Sequence, residues 1–317
     1  MEAQHLKGSM RGLAAVLTLA LVAALLLLAW HILPESTSDA SAGQWTVSGA
    51  GILDYAVLPP QYNISPAVVD GKTSLSELHF HSRGSEIAAL LRVPLAKDNG
   101  AAIPGIVLLP GAAVSKEVEQ GLAKKFAEMG YATLTLDQRN LGSVDFDGDL
   151  QAFLNGMEPA EHKMVYDALA AGELLRGLPG IDAGRIIYVG ESNGGRFAII
   201  ACVLDSRARG VIGISTCGYD TKAAIAHAAA AGQAVDPEAV RFYISIDPES
   251  YLDGIPPRPL VMIHSRNDTV IPYQMAERTF SRAFQPKRMH AVNCTVHGYC
   301  QEMAGAVEEE LAEISQG

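Results

Sequence analysis

The sequence predicts an α/β domain with a mostly parallel sheet wrapped by helices, and three observations carry that expectation. From Ile103 onward, short β-rich runs alternate with helical ones, the pattern of successive βαβ units. A serine with glycine two residues away on each side, Gly190-Glu191-Ser192-Asn193-Gly194, stands where a strand-like run meets a helical one. An acid-bearing loop and then a histidine-bearing loop follow, each after a further strand-like run.

Taken in order, "SLSELHF" and "EIAALLRVPL" read as a β-hairpin around "HSRGS", with Gly84 supplying the turn and the two strands lying at the sheet edge. "IPGIVLLPG" reads as a buried strand, "EVEQGLAKKFAEMG" as an amphipathic helix ending at Gly130, and "YATLTLD" as the next strand. "EHKMVYDALAAGELLRGL" with "RIIYVG", and "GRFAIIACVLD" with "VIGIST", repeat the alternation. "PLVMIHS", "YQMAERTFSRAF", "KRMHAVNC" and the closing helix "QEMAGAVEEELAEI" complete it. The stretch 219–258 breaks the pattern with an Ala-rich helix and a Pro-containing run. Its length suits either a small helical cap over the carboxyl ends of the strands or a surface excursion.

Ahead of the domain, Gly12 to Leu33 is an apolar run of 22 residues. As a helix it spans about 30 Å, enough for a bilayer core. Lys7 and Arg11 precede it and Glu35 and Asp39 follow, which places residues 1–11 in the cytoplasm and the large domain outside it. The run is longer than the apolar region of a cleavable signal, so a transmembrane signal anchor over 12–33 is expected rather than a removed signal peptide. Small polar residues at 34–48 read as a flexible tether, and 34–74 as a linker and entry segment ahead of an α/β domain at 75–317.

Thirty-five acidic residues against 24 basic ones give a net charge of −11, with no basic run to follow a phosphate backbone, so nucleic acid is not an expected partner. Cys202, Cys217, Cys294 and Cys300 form no CxxC pair and no metal-spaced cluster, so no metal is expected. Cys294 and Cys300 flank "CTVHGYC"; pairing there would pin His297, and two unrelated thiols is the other reading.

The chemistry gathers on the serine. A nucleophile on a sharp strand-to-helix turn needs small neighbours, and Gly190 and Gly194 supply them around Ser192. A serine hydroxyl needs a base within reach and a third group to orient that base. Asp268, in "HSRNDTVIP" after "PLVMI", is the candidate acid. His297, beside Gly298 on the loop after "RMHAVNC", is the candidate base. His290 lies inside a strand, and His264 ends one and should line the site floor. Backbone N–H groups of Asn193 and of Ala112, in "LLPGAAVSKE", are the expected oxyanion donors. Glu191 has no role that these arguments assign.

Together "GESNGG", "HSRNDTVIP", "VHG" and "LLPGAAVSKE" resemble the α/β-hydrolase superfamily, in its esterase, dienelactone-hydrolase-like and prolyl-oligopeptidase-like branches, over residues 75–314. Pro110 stands where many members carry histidine, and the nucleophile is serine where dienelactone hydrolases use cysteine. The resemblance implies a mostly parallel eight-stranded sheet flanked by helices, an acyl-enzyme on Ser192 and no cofactor. It implies a small-molecule ester or peptide substrate, with ester hydrolysis expected. A small serine peptidase and a non-catalytic binding module are the alternatives.

Overall fold

The computed structural model describes residues 44–95 and 101–316. The expected cytoplasmic segment and signal anchor, 1–33, lie outside these residues. Among the described residues no helix is long and apolar enough to cross a membrane.

The stretch expected to be a linker is folded from residue 44 onward. Strands β1 (Trp45–Val47) and β2 (Leu53–Tyr55) pair antiparallel as a separate ribbon. Leu53 is fully buried, its N–H donating to the Tyr251 hydroxyl at 3.0 Å, and the Trp45 indole N–H donates to His162 Nδ1 at 3.2 Å. Strands β3 (Tyr62–Ile64) and β4 (Val68–Asp70) both pair with β5 (Thr73–Ser82). Each of these four strands is three residues long, too short for a period-two pattern to stand out against the surrounding Pro, Gly and polar residues.

β5 and β6 (Ser85–Pro94) form the expected hairpin in continuous register from Thr73↔Pro94 to Ser82↔Ser85. Arg83 and Gly84 both take positive φ, 45° and 74°, as a two-residue turn between right-twisted strands requires. β5 is not the bare edge, because β3 and β4 cover it.

The rest alternates as expected: β7 (Ile103–Leu109), α1 (Gln120–Glu128), β8 (Ala132–Leu136), α2 (Phe146–Leu154), α3 (Ala160–Gly177), β9 (Ile181–Glu191), α4 (Asn193–Leu204), β10 (Gly210–Ile214), α5 (Thr221–Ala230), α6 (Pro237–Ile246), β11 (Leu260–Ser265), α7 (Tyr273–Arg282), β12 (Lys287–Val292) and α8 (Ala304–Gln316). The sheet has ten strands in the order β12-β11-β10-β9-β7-β8-β6-β5-β3, with β4 also on β5. β7 to β12 are mutually parallel, whereas β6, β5, β3 and β4 join antiparallel. The eight expected strands are β5 to β12; the other two come from the supposed linker.

Alternate residues of the central strands feed two cores. Ile106, Leu108, Ile187 and Val189 pack with Leu122 and Phe126 of α1 and Val307 and Leu311 of α8. Val107, Leu109, Ile186 and Tyr188 face α3 and α4 on the other side. Strands buried on both faces read as the unbroken apolar runs seen in the sequence. The 219–258 stretch folds as α5, α6 and a 3-10 segment, Pro248–Gly254. The Asp236 carboxylate caps α6 by accepting from Glu238 N–H at 2.7 Å. Phe242 of α6 packs against Phe153 of α2 with ring centroids 5.6 Å apart.

Candidate active site

The loops at the carboxyl ends of the parallel strands converge, as open α/β sheets require of their sites. Ser192 sits between β9 and α4 with φ 51° and ψ −118°, a strained conformation for a residue with a Cβ. Its N–H is tied to Ile214 O at 2.9 Å and its carbonyl accepts from Thr216 Oγ1 at 2.7 Å. The flanking glycines are sterically required. A Cβ on Gly190 would lie 2.3 Å from Gly194 O, and one on Gly194 would lie 2.1 Å from Leu109 O. Gly194→Ala is therefore expected to destabilise the fold by about 3 kcal/mol or more, because backbone blocks relief. Chemical denaturation of the variant measures it.

Asn193 opens α4, so its N–H has no acceptor within the helix. Its side-chain amide is also engaged, Nδ2 donating to Gly142 O at 2.9 Å and holding the loop after β8 against the turn. The loop after β7 runs past the serine, since a Cβ on Gly111 would lie 3.4 Å from Ser192 Cβ. Ala113, at φ 64°, anchors this loop by donating to Leu141 O at 2.7 Å. Ala112 is exposed, and its N–H has no protein acceptor among the described residues.

Asp268 and His297 meet, with His297 Nδ1 2.8 Å from Asp268 Oδ2. Asp268 Oδ1 accepts from the N–H groups of Val270 and Ile271 at 2.8 and 2.9 Å. Burial acts to raise this carboxyl, but the hydrogen bonds from His297 and from the two N–H groups outweigh it and hold its pKa below the ordinary value. Among the described residues the Ser192 hydroxyl makes no hydrogen bond to His297. Such contacts commonly tighten only with substrate bound. His264 lies buried beneath the acid, its Nε2 2.8 Å from Ile271 O, and burial holds its pKa low. His290 is engaged elsewhere, with Glu310 Oε1 at 2.6 Å.

The residue without a role in the sequence acquires one. Glu191 Oε1 accepts from Tyr299 N–H at 2.7 Å, and its Oε2 lies 3.1 Å from where a Cβ on Gly298 would stand. The carboxylate beside the serine thus grips the chain immediately after His297. Burial pushes the Glu191 carboxyl up, while the Tyr299 N–H and His297 draw it back. Glu119, also buried, is pushed up to about 8 by burial and by the charge of Glu191. Ser215 Oγ donates to Gly298 O at 3.3 Å, and a Cys294–Cys300 disulfide closes the same loop. Cys202 and Cys217 are free and buried. No local pattern pairs Glu191 with Tyr299, 108 residues away.

Glu191→Ala is expected to lower kcat by about a hundredfold, the effect of a displacement of roughly 1 Å at a catalytic group. Glu191→Gln keeps an oxygen for the Tyr299 N–H and should lose far less. Steady-state kinetics on the two variants, with KM read separately, make the comparison.

The sequence model of the acetyl xylan esterase (AXE1) family matches residues 68–249, more than half of the chain. Among solved structures, the chain resembles an acetyl xylan esterase from Paenibacillus sp. R4, with a TM-score of 0.66 and 18% identity over 81% of this chain and 89% of that one. It also resembles a glucuronoyl esterase from Solibacter usitatus, with a TM-score of 0.60 and 15% identity over 91% and 93%. At these identities the likeness is one of fold, the α/β-hydrolase arrangement of a sheet flanked by helices. The uncharacterized protein YfhR of Escherichia coli (strain K12) is 30% identical over 132 residues, 41% of this chain and 44% of that one. The chain therefore spans less than half the length of that curated relative. By the family match, this chain belongs to the acetyl xylan esterase family.

Proposed function

We propose that the protein is a serine hydrolase of carboxylic esters, acting on acetyl esters of a carbohydrate. The observation that carries this reading is the 2.8 Å Asp268–His297 pair on loops that converge with a serine held on a glycine-relieved turn. Ser192 Oγ attacks the acyl carbon as His297 Nε2 takes its proton, and Asp268 holds Nδ1–H and stabilises the imidazolium. The N–H groups of Asn193 and Ala112 donate to the oxyanion and stabilise its charge. His297 returns the proton to the departing alkoxide, then takes one from water as the water oxygen attacks the acyl carbon; the bond to Ser192 Oγ breaks, His297 gives Oγ that proton, and acetic acid leaves and ionises to acetate. The acetyl preference rests on family membership. We also read residues 12–33 as a membrane anchor with the domain outside the cytoplasm, an inference from the apolar run and its flanking charges.

The test is a panel of acetylated xylo-oligosaccharides, 4-nitrophenyl acetate, 4-nitrophenyl octanoate and aminoacyl 4-nitroanilides. Acetyl esters turned over and anilides untouched is the expected result. Cleavage of the anilides alone would establish a peptidase instead. Protease accessibility of the domain in sealed cells tests the topology, and protection from added protease would reverse it.

A further inference from the structure

Arg196 is the most anomalous polar side chain near the serine. It is only 8% exposed, yet among the described residues its guanidinium makes no ion pair or hydrogen bond. It stacks on Tyr219, whose ring centroid lies 4.0 Å from the guanidinium carbon. None of its nitrogen atoms is sealed from solvent, so a side chain that is otherwise buried holds its guanidinium on an aromatic face with donors open to an incoming acceptor that the protein itself does not supply. Two buried atoms close by are without partners, Glu161 Oε1 and the Tyr219 hydroxyl.

The position ties this cluster to the nucleophile. Arg196 lies four residues after Ser192, on the same face of α4, and helical side chains lean toward the helix N-terminus. Tyr219 follows Thr216, whose hydroxyl holds the Ser192 carbonyl. Phe146 packs edge-on against Tyr219 at 5.3 Å and follows Gly142, whose carbonyl holds the Asn193 amide. The segments that lead into both walls are therefore bonded, through Thr216 and Gly142, to the turn that carries Ser192.

We propose that Arg196, with Tyr219 and Glu161, forms a subsite beside Ser192 that binds a carboxylate carried by the ester substrate. This rests on the esterase reading above. A carboxylate offers the two acceptors that a guanidinium fork engages side by side. The nearby acids do not pre-empt it. Asp247 is already bonded to the N–H groups of Tyr219, Thr221 and Glu249 at 3.1, 2.9 and 3.0 Å and makes no ion pair with Arg196. Burial pushes the Glu161 carboxyl up to about 8, so near neutrality it is protonated and presents a donor to the same anion.

The experiment uses two matched pairs of substrates, 4-nitrophenyl hexanoate against mono-4-nitrophenyl adipate, and phenyl acetate against 4-acetoxybenzoate. The pairs place the carboxylate on the acyl side and on the alcohol side respectively. The expected result is a kcat/KM ratio favouring the acidic partner by about tenfold or more in at least one pair. That ratio should collapse toward one in Arg196→Gln and be partly kept in Arg196→Lys. Calorimetric titration of the wild-type protein with adipate and with benzoate reads the subsite without turnover or a variant. Saturable binding of either that weakens as salt is raised is expected. Neutral esters cleaved with no preference for either acid, or a preference that survives Arg196→Gln, would overturn the subsite and leave the esterase reading standing. Adipate or benzoate bound but no ester cleaved would do the reverse, and neither anion bound would overturn the subsite whatever the turnover.

Discussion

Ser192→Ala is expected to abolish ester hydrolysis and labelling by a fluorophosphonate probe together, with kcat falling about a millionfold. The magnitude follows from how the residues act as a unit. Once the oxygen that forms the acyl bond is gone, the Asp268–His297 pair has no proton to take and only binding and oxyanion stabilisation persist. Alanine fits the turn, because the strain at φ 51° belongs to any residue with a Cβ and the serine backbone bonds to Ile214 and Thr216 are retained. The variant should therefore fold, and circular dichroism with a thermal melt separates lost chemistry from lost structure. Label that persists on the variant, or turnover within tenfold of wild type, would remove Ser192 from the mechanism.

Asp268→Asn is the second large effect, with kcat expected to fall by about ten-thousandfold. The amide preserves shape but removes the charge that stabilises the imidazolium, and by presenting a donor to Nδ1 it favours the wrong tautomer. The same substitution carries a pH signature. A carboxyl whose folded pKa is depressed contributes stability that is present above its unfolded pKa and is lost as pH falls through the folded one. Wild-type stability should therefore decline on the acid side through this group, and Asp268→Asn should show a shallower decline over that range. Melting temperatures from pH 3 to 7 on both proteins decide it. A variant with unchanged kcat, or one as steep in acid as wild type, counts against the assignment.

The Glu191 and Arg196 findings bear on why only part of the site is legible in the sequence. Ser192, Gly190 and Gly194 stand out because the turn is local, with the steric conflict lying among residues within a few positions and beside the preceding strand. Asp268 and His297 stand out because each follows a strand-like run, and strand ends are where a parallel sheet exposes its loops. Glu191 sits in the same motif yet carries no local signal for its partner. Its hydrogen bond to Tyr299 exists only because β9 and β12 run parallel and the loop after β12 emerges at the same carboxyl end of the sheet as Glu191. Arg196 likewise reads as an ordinary residue of the α4 helix until Tyr219 is folded across it.

The same distinction explains the fold. Long apolar runs at β7, β9, β10 and β11 announce strands buried on both faces, and alternation with amphipathic helices makes the sheet parallel, so the sequence by itself determined the α/β architecture, the turn at Ser192 and the order serine, acid, histidine. Composition argued for a tether at 34–48 and left the entry segment up to residue 74 without elements; pairing gives it strands, because three-residue strands gain their stability from β5 and from burial of Leu53 rather than from their own propensity. Only the tertiary structure decided that β3 and β4 extend the sheet, that Cys294 bonds Cys300, that Glu191 grips the histidine loop and that Arg196 is stacked on Tyr219. The physical reason is range: periodicity and sterics act between near neighbours in the chain, whereas pairing, disulfide closure and buried charge depend on which distant segments the fold brings within a few ångströms.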